Sequence, residues 1–154
     1  MIARPTASQL VEAIRRELRE VVGPAVSDPT AAGSLEMVDA LLSSLAIRCG
    51  HEHAWMQEEI VATTAAARAV LDAGLDTSGS VAAALSEFQE ASTTSGHLDD
   101  VVQTYDQSGE LLSRCIEVAL PAGGAVRDTV LSALETRLAH EVEVRGDFSL
   151  AGRT

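Results

Sequence analysis

Lysine and asparagine are absent from the 154-residue chain, so all eleven of its basic residues are arginine. Without lysine there is no Schiff-base chemistry, no P-loop and no lysine general base. Aromatic residues are scarce: Trp55, Phe88, Tyr105 and Phe148 are all there are. The apolar mass is alanine, leucine and valine, a mixture that suits closely packed helices. Cys49 and Cys115 stand far apart with no Cys-x-x-Cys spacing, and the simplest expectation is two buried thiols behaving as small apolar residues. No apolar run approaches eighteen residues and no basic-then-apolar leader is visible. The expectation is therefore a cytoplasmic protein with neither a membrane span nor a secretory signal. Positive charge is in deficit, and the net charge of −12 opposes sequence-independent binding to nucleic acid or to an anionic membrane. Arg15, Arg16 and Arg19 form the one basic cluster; interleaved with Glu12, Glu17 and Glu20, they read as the solvated face of a helix.

What is present is helical periodicity. The length fits a single domain, residues 1–154, able to bury roughly 70% of its unfolded surface, with a loosely ordered tail over 147–154. In "RPTASQLVEAIRRELREVVGP" Thr6 precedes Gln9 at capping-box spacing. Leu10, Val11, Ile14, Leu18, Val21 and Val22 then recur at helical intervals, and Gly23-Pro24 predicts the end. The next helix starts at Asp28-Pro29 or at Ser34. Its core positions step by three and four: Leu35, Val38, Leu42, Leu45, Cys49, Glu52, Met56, Glu59, Thr63, Ala66 and Val70. The apolar phase survives Gly50, which predicts one long helix over 34–73, stopped by Gly74. A short helix carries Val81, Leu85 and Phe88. A fourth spans Leu98 to Ala119 and ends at "PAGG", 121–124. The last carries Val126, Val130, Leu131, Leu134, Leu138 and Val142 and stops near Gly146. No stretch alternates with period two as a strand would. The expectation is an all-α antiparallel bundle of four main helices plus a short one.

The chemically densest stretch is "RCGHEHAWMQEEI", residues 48–60. Successive helical residues turn by 100°, so His51 and His53 diverge and cannot share a metal. Glu52 and Glu59 fall on core positions, where an isolated carboxylate is costly and needs a partner or exposure. The expectation is a laterally displaced helix, with Ile60 replacing Glu59 inward and both glutamates at the rim, paired with arginines such as Arg114 or Arg137. The alternative is a carboxylate–histidine site for iron, manganese or zinc, built from Glu52, His53 and Glu59 with His97, His140 or Glu141. Against it, neither Glu-x-x-His on two helices nor His-Glu-x-x-His occurs. On the opposite side, Met37, Ile47, His51 and Trp55 make a second apolar strip. A helix with two apolar sides lies at the centre of its domain or meets a partner.

Nucleophilic catalysis has little support: there is no Gly-x-Ser-x-Gly elbow, and neither cysteine has a local activating pattern. No catalytic residue is nominated. The phrases "RPTASQLVEAIRREL", "CGHEHAWMQEE" and "RGDFSLAGR", about a third of the chain, resemble a small uncharacterised bacterial helical family. Its members are encoded beside aminoglycoside-phosphotransferase-like kinases and acyl-CoA dehydrogenases. The resemblance implies an accessory protein near acyl-CoA or phosphotransfer metabolism and carries over no site residues. The expectation is a non-enzymatic, cofactor-free homodimer that assists a partner enzyme. The alternative is a metal-dependent or small-acid-binding enzyme centred on Glu52, His53 and Glu59.

Overall fold

The computed structural model describes residues 4–92 and 95–145. These are almost wholly helical, with no strand among them: α1 (Ala7–Glu17), a π-helical turn (Leu18–Val22), α2 (Gly23–Ala25), α3 (Pro29–Asp72), α4 (Ser80–Ala91), α5 (Leu98–Ala122) and α6 (Gly124–Arg145). The all-α class is as the periodicity predicts. The tail 147–154, expected to be loosely ordered, lies outside the described residues. Backbone contacts group the chain into two compact units, one of 1–52 with 141–154 and one of 53–140.

The first unit is built on α1 and the N-terminal part of α3. The capping box forms: the Gln9 amide donates to Thr6 Oγ1 at 3.3 Å and the Thr6 amide donates to Gln9 Oε1 at 2.9 Å. The chain stays helical two residues past the expected stop, through a π turn and the Gly23–Ala25 turn. Pro24 is tolerated because it sits at the start of that last turn, where its missing N–H is not needed. The π turn draws Gly23 close: a Cβ there would lie 3.2 Å from the Leu18 carbonyl oxygen and 3.6 Å from Leu35. α3 begins at the earlier of the two candidate starts, since the Asp28 carboxylate accepts from the Thr30 and Ala31 amides, both at 3.3 Å. Ser34 is instead interior, its hydroxyl donating to the Thr30 carbonyl.

α1 and α3 are antiparallel, because Ser8 meets Ala46 while Arg15 and Arg19 meet Asp39. Three sequence expectations fail here. Of the stepped core series, Leu35 and Leu42 are half-buried, but Val38 and Leu45 are 43% and 45% exposed and Cys49 is exposed. The face turned to α1 is instead Leu35, Asp39, Leu42 and Ala46, the same seven-residue repeat taken on its i+4 rather than its i+3 flank. Cys49 is accordingly not the buried thiol expected, whereas Cys115 is. Arg15, assigned to a solvated face, is buried, since Asp39 and Glu12 satisfy its guanidinium (3.1 and 2.7 Å).

The second unit holds the apolar core. Ala66, Ala67 and Val70 of α3 pack with Val81, Leu85 and Phe88 of α4, Leu111, Leu112, Cys115 and Ala119 of α5, and Val130 and Ala133 of α6. Thr63, Ala66 and Val70, the later part of the stepped series, are buried as expected; Glu59, expected at the rim with Ile60 replacing it inward, is itself buried, while Ile60 is half-buried. α3 ends in a Schellman motif: Gly74 takes φ +66°, its amide donates to the Leu71 carbonyl, and the Leu75 amide donates to that of Val70. The Asp76 carboxylate then caps the start of α4 by accepting from the Ala82 amide at 2.9 Å. On α6 the stripe is shorter than expected, with Leu138 60% exposed; Val142, in the first unit, is exposed as well.

Candidate functional site

Two places carry more than packing. The first is a polar centre in the second unit, organised around Glu59. Its position on α3 is one the apolar phase assigns to the core, and the side chain is 9% exposed. Three donors from two other helices converge on it. The Tyr105 hydroxyl of α5 donates to Oε2 at 2.7 Å, and His140 Nδ1 of α6 lies 2.8 Å from Oε1. Arg137 Nε, one turn before His140, is 3.5 Å from Oε2. With Glu59 as a carboxylate, Nδ1–H is the donor, and His140 Nε2 then faces Glu58 at 3.5 Å. The imidazole is held from the side by Trp55, stacked at 4.9 Å between centroids and 15° between planes. The Arg137 guanidinium lies 4.6 Å over the Tyr105 ring. Burial, then the hydrogen bond to Glu59, pushes the Tyr105 hydroxyl up to about 12.

The arrangement joins some of the nominated residues and not others. Glu59 and His140 come together as carboxylate and imidazole, and Arg137 supplies the arginine that the buried carboxylate requires. Arg114 does not; it pairs with Glu110 and Glu117 along its own helix. Within the first unit Glu52 is bound by Arg48, one turn earlier. His53 is exposed, and His97 is exposed at the cap position of α5. Among the described residues no three histidine, cysteine, aspartate or glutamate side chains are grouped to hold a metal ion. The three donors that could hold a small acid are taken by Glu59 itself. Sequence reading missed Tyr105, whose place on the apolar stripe of α5 read as core. The usable signal was its hydroxyl, which needs a partner when buried.

The second place is the uncovered face of the first unit. On α3, Met37, Leu41 and Leu45 form a stripe at four-residue steps with 64%, 55% and 45% exposure, and Val38 lies beside it. On α1 and the π turn, Leu10, Ile14 and Val21 are each at least half exposed. Both helices thus turn large apolar side chains outward, although Leu35, Leu42, Ala46 and the Arg15–Asp39 pair lie on the faces turned to each other. Of the nominated interface residues, Met37 lies in this stripe. Ile47 is half-buried and His51 exposed, while Trp55, in the second unit, is half-buried against His140. α3 is long and apolar enough to cross a membrane by length and composition alone, and only 6% of its most apolar eighteen-residue window is buried. The expectation of no such segment rested on unbroken runs, which Glu36, Asp39 and Arg48 interrupt.

No protein-family model matches the chain, and neither a curated protein nor a solved structure does.

Proposed function

We propose that the protein acts by association rather than catalysis: it pairs with a second copy through its first unit and serves as an accessory to a partner enzyme. The observation that supports this is the stripe Met37, Leu41 and Leu45, left uncovered on a unit built mainly on two helices, α3 and α1, the second of which, with its π turn, also exposes Leu10, Ile14 and Val21. Two helices alone cannot enclose an apolar core, whereas two such hairpins related by a two-fold axis form a four-helix bundle. Half a dozen large side chains at this exposure offer apolar area on the order of several hundred Å² per copy. A stable interface takes about 800 Å² per partner, apolar centre and polar rim together. The partner enzyme belongs, on the resemblance of the chain's three phrases, to acyl-CoA or phosphotransfer metabolism.

Light scattering on the full chain at micromolar concentration tests the pairing. The expected result is a dimer that becomes a monomer in Met37→Glu/Leu41→Glu, with helical content by circular dichroism unchanged. A wild-type monomer at about 100 µM overturns the reading, and so does a monomer that instead floats with phospholipid vesicles.

A second reading, a carboxylate–histidine enzyme, is favoured by one observation, the 2.8 Å approach of His140 Nδ1 to Glu59. Metal analysis of untagged protein decides it: stoichiometric iron, manganese or zinc, lost in His140→Ala, would establish that reading over association.

A further inference from the structure

We propose that the second copy docks on α3 itself: the two α3 helices cross antiparallel on a two-fold axis that passes Leu41 at right angles to both, with α1 against α1 beside them. This geometry rests on the pairing of first units proposed above and fixes how the two copies meet. Met37, Leu41 and Leu45 are the exposed apolar stripe of α3, and Leu41 is its centre. Seven and eleven residues from Leu41 the same face is polar: Ser34 and Thr30 on one side, the Arg48–Glu52 ion pair on the other. Turned end for end about Leu41, one stripe fits the other. Met37 lies level with Leu45 of the second copy, while Arg48 and Glu52 lie level with its Ser34 and Thr30. No charge is then set against an apolar side chain.

α1 obeys the same axis. Ser8 meets Ala46 at 3.0 Å; seven residues on along α1 and seven back along α3, Arg15 meets Asp39 at 3.1 Å. This register sets Leu41 level with Ala13. The exposed pair Leu10 and Ile14 is centred one residue, or ~1.5 Å, from that level. Direction agrees as well as height. Each stripe lies roughly a third of a turn from the face its helix presents to the other, in the same rotational sense along each chain. Between antiparallel helices, equal sense puts both stripes on one side of the pair. A single two-fold axis therefore brings α3 onto α3 and α1 onto α1.

The competing two-fold arrangement, α3 on α1 of the second copy, runs the axis along the helices and sets Glu17 level with Met37 of that copy. Glu17 is exposed beside Leu10 and Ile14, and burying its carboxylate against a methionine is costly. On the axis through Leu41, Glu17 instead lies level with Gln9 of the second copy, in the first turn of α1. That turn has no acidic residue of its own, and the helix macrodipole favours an anion there.

Cys49 is exposed and Cys115 buried, so a thiol-specific nitroxide marks the native full chain at Cys49 alone. Double electron–electron resonance on the dimer then reads the distance between copies. Cys49 lies eight residues beyond Leu41 in each copy, which is expected to hold the two Cα atoms roughly 25 Å apart, mostly along the helices. α3 on α1 would leave them at one height, diagonally opposed at roughly 14 Å, and parallel α3 helices would bring them closer still. Leu41→Cys/Cys49→Ser supplies a second readout, because Cα atoms facing each other across the axis stand within disulfide reach. Mild oxidation is expected to link most of that dimer, with circular dichroism unchanged, and to leave Cys49→Ser unlinked. A short Cys49 distance, or a Leu41→Cys dimer that resists oxidation, overturns this geometry and leaves the pairing itself standing. A wild-type monomer by light scattering overturns both.

Discussion

Glu59 occupies a position that the phase of α3 reserves for an apolar side chain, and the unit around it is arranged so that the carboxylate is satisfied rather than removed. Tyr105, His140 and Arg137 spend their polar atoms on it. Breaking a buried pair from one side leaves the other side uncompensated, whereas an apolar residue of similar volume is often tolerated. Glu59→Ala should therefore cost about 3–5 kcal/mol in urea unfolding, and Glu59→Leu distinctly less. Equal losses for the two would show that cavity formation, not the stranded donors, sets the cost. The same centre has an alkaline signature. The Tyr105 hydroxyl is pushed up to about 12, so the folded chain holds this proton more tightly than the unfolded chain, whose tyrosine titrates near 10. Its contribution is complete below pH ~10 and is lost as pH rises from there through about 12. Tyr105 is the only tyrosine, so ultraviolet absorbance reports its titration directly, and Tyr105→Phe should flatten stability over that window. Arg137 was legible as a partner, because a carboxylate on a core phase calls for an arginine, and His140 was nominated beside Glu59 only as a metal ligand; the burial of Glu59 was not legible, since exposure at the rim would satisfy the charge equally well. Tyr105 was not legible either, since a tyrosine on an apolar stripe looks like any other core residue.

At the scale of the element, the helices were legible wherever a local chemical signal fixes them. Thr6 with Gln9, Asp28 with Pro29, and Gly74 mark boundaries through caps that need only neighbouring residues. The face α3 buries was legible where it meets the apolar core of the second unit, as at Thr63, Ala66 and Val70, and not where α1 takes the other flank of the same repeat and leaves Val38, Leu45 and Cys49 outside. Two glycines, one inside α3 and one just past its end, separate propensity from conformation. Gly50 lies in the helix interior, and a Cβ added there would meet nothing within 4 Å. Gly50→Ala should stabilise by about 0.5–1 kcal/mol, since glycine loses most on ordering. Gly74 is equally uncrowded but takes φ +66°, and Gly74→Ala should destabilise by about 1–2 kcal/mol. Thermal unfolding should show opposite shifts of about 2–4 °C per kcal/mol for a chain of this size; shifts of one sign would refute the distinction. The α1–α3 pair has its own acid limit. Burial raises the Asp39 carboxyl, but hydrogen bonds and charge from Arg19 and Arg15 outweigh it and hold it below the usual range. The folded state therefore binds this proton less readily than the unfolded state. The stability it contributes is present above pH ~4 and is lost as pH falls further. Asp39→Asn should remove that acid dependence from the amides of α1 in hydrogen exchange.

For the whole molecule, the net charge of −12 bears directly on self-association, because two copies repel before their apolar stripes meet. The proposed interface is carried by Met37, Leu41, Leu45, Leu10, Ile14 and Val21, none of them charged, while three arginines of the first unit are engaged at home: Arg15 and Arg19 on Asp39, Arg48 on Glu52. Added salt therefore screens the repulsion and has little interfacial attraction to weaken. The Debye length falls from roughly 30 Å at 0.01 M to roughly 8 Å at 0.15 M, a range over which like-charged surfaces cease to feel each other. The dimer dissociation constant, measured by sedimentation equilibrium, should fall by about tenfold or more between these conditions, with a further tightening in sulfate, which strengthens apolar burial. An interface made of ion pairs would respond in the opposite direction, loosening as salt rises. That result would move the contact from the apolar stripes to the exposed arginines and glutamates, and Met37→Glu would then leave the dimer intact.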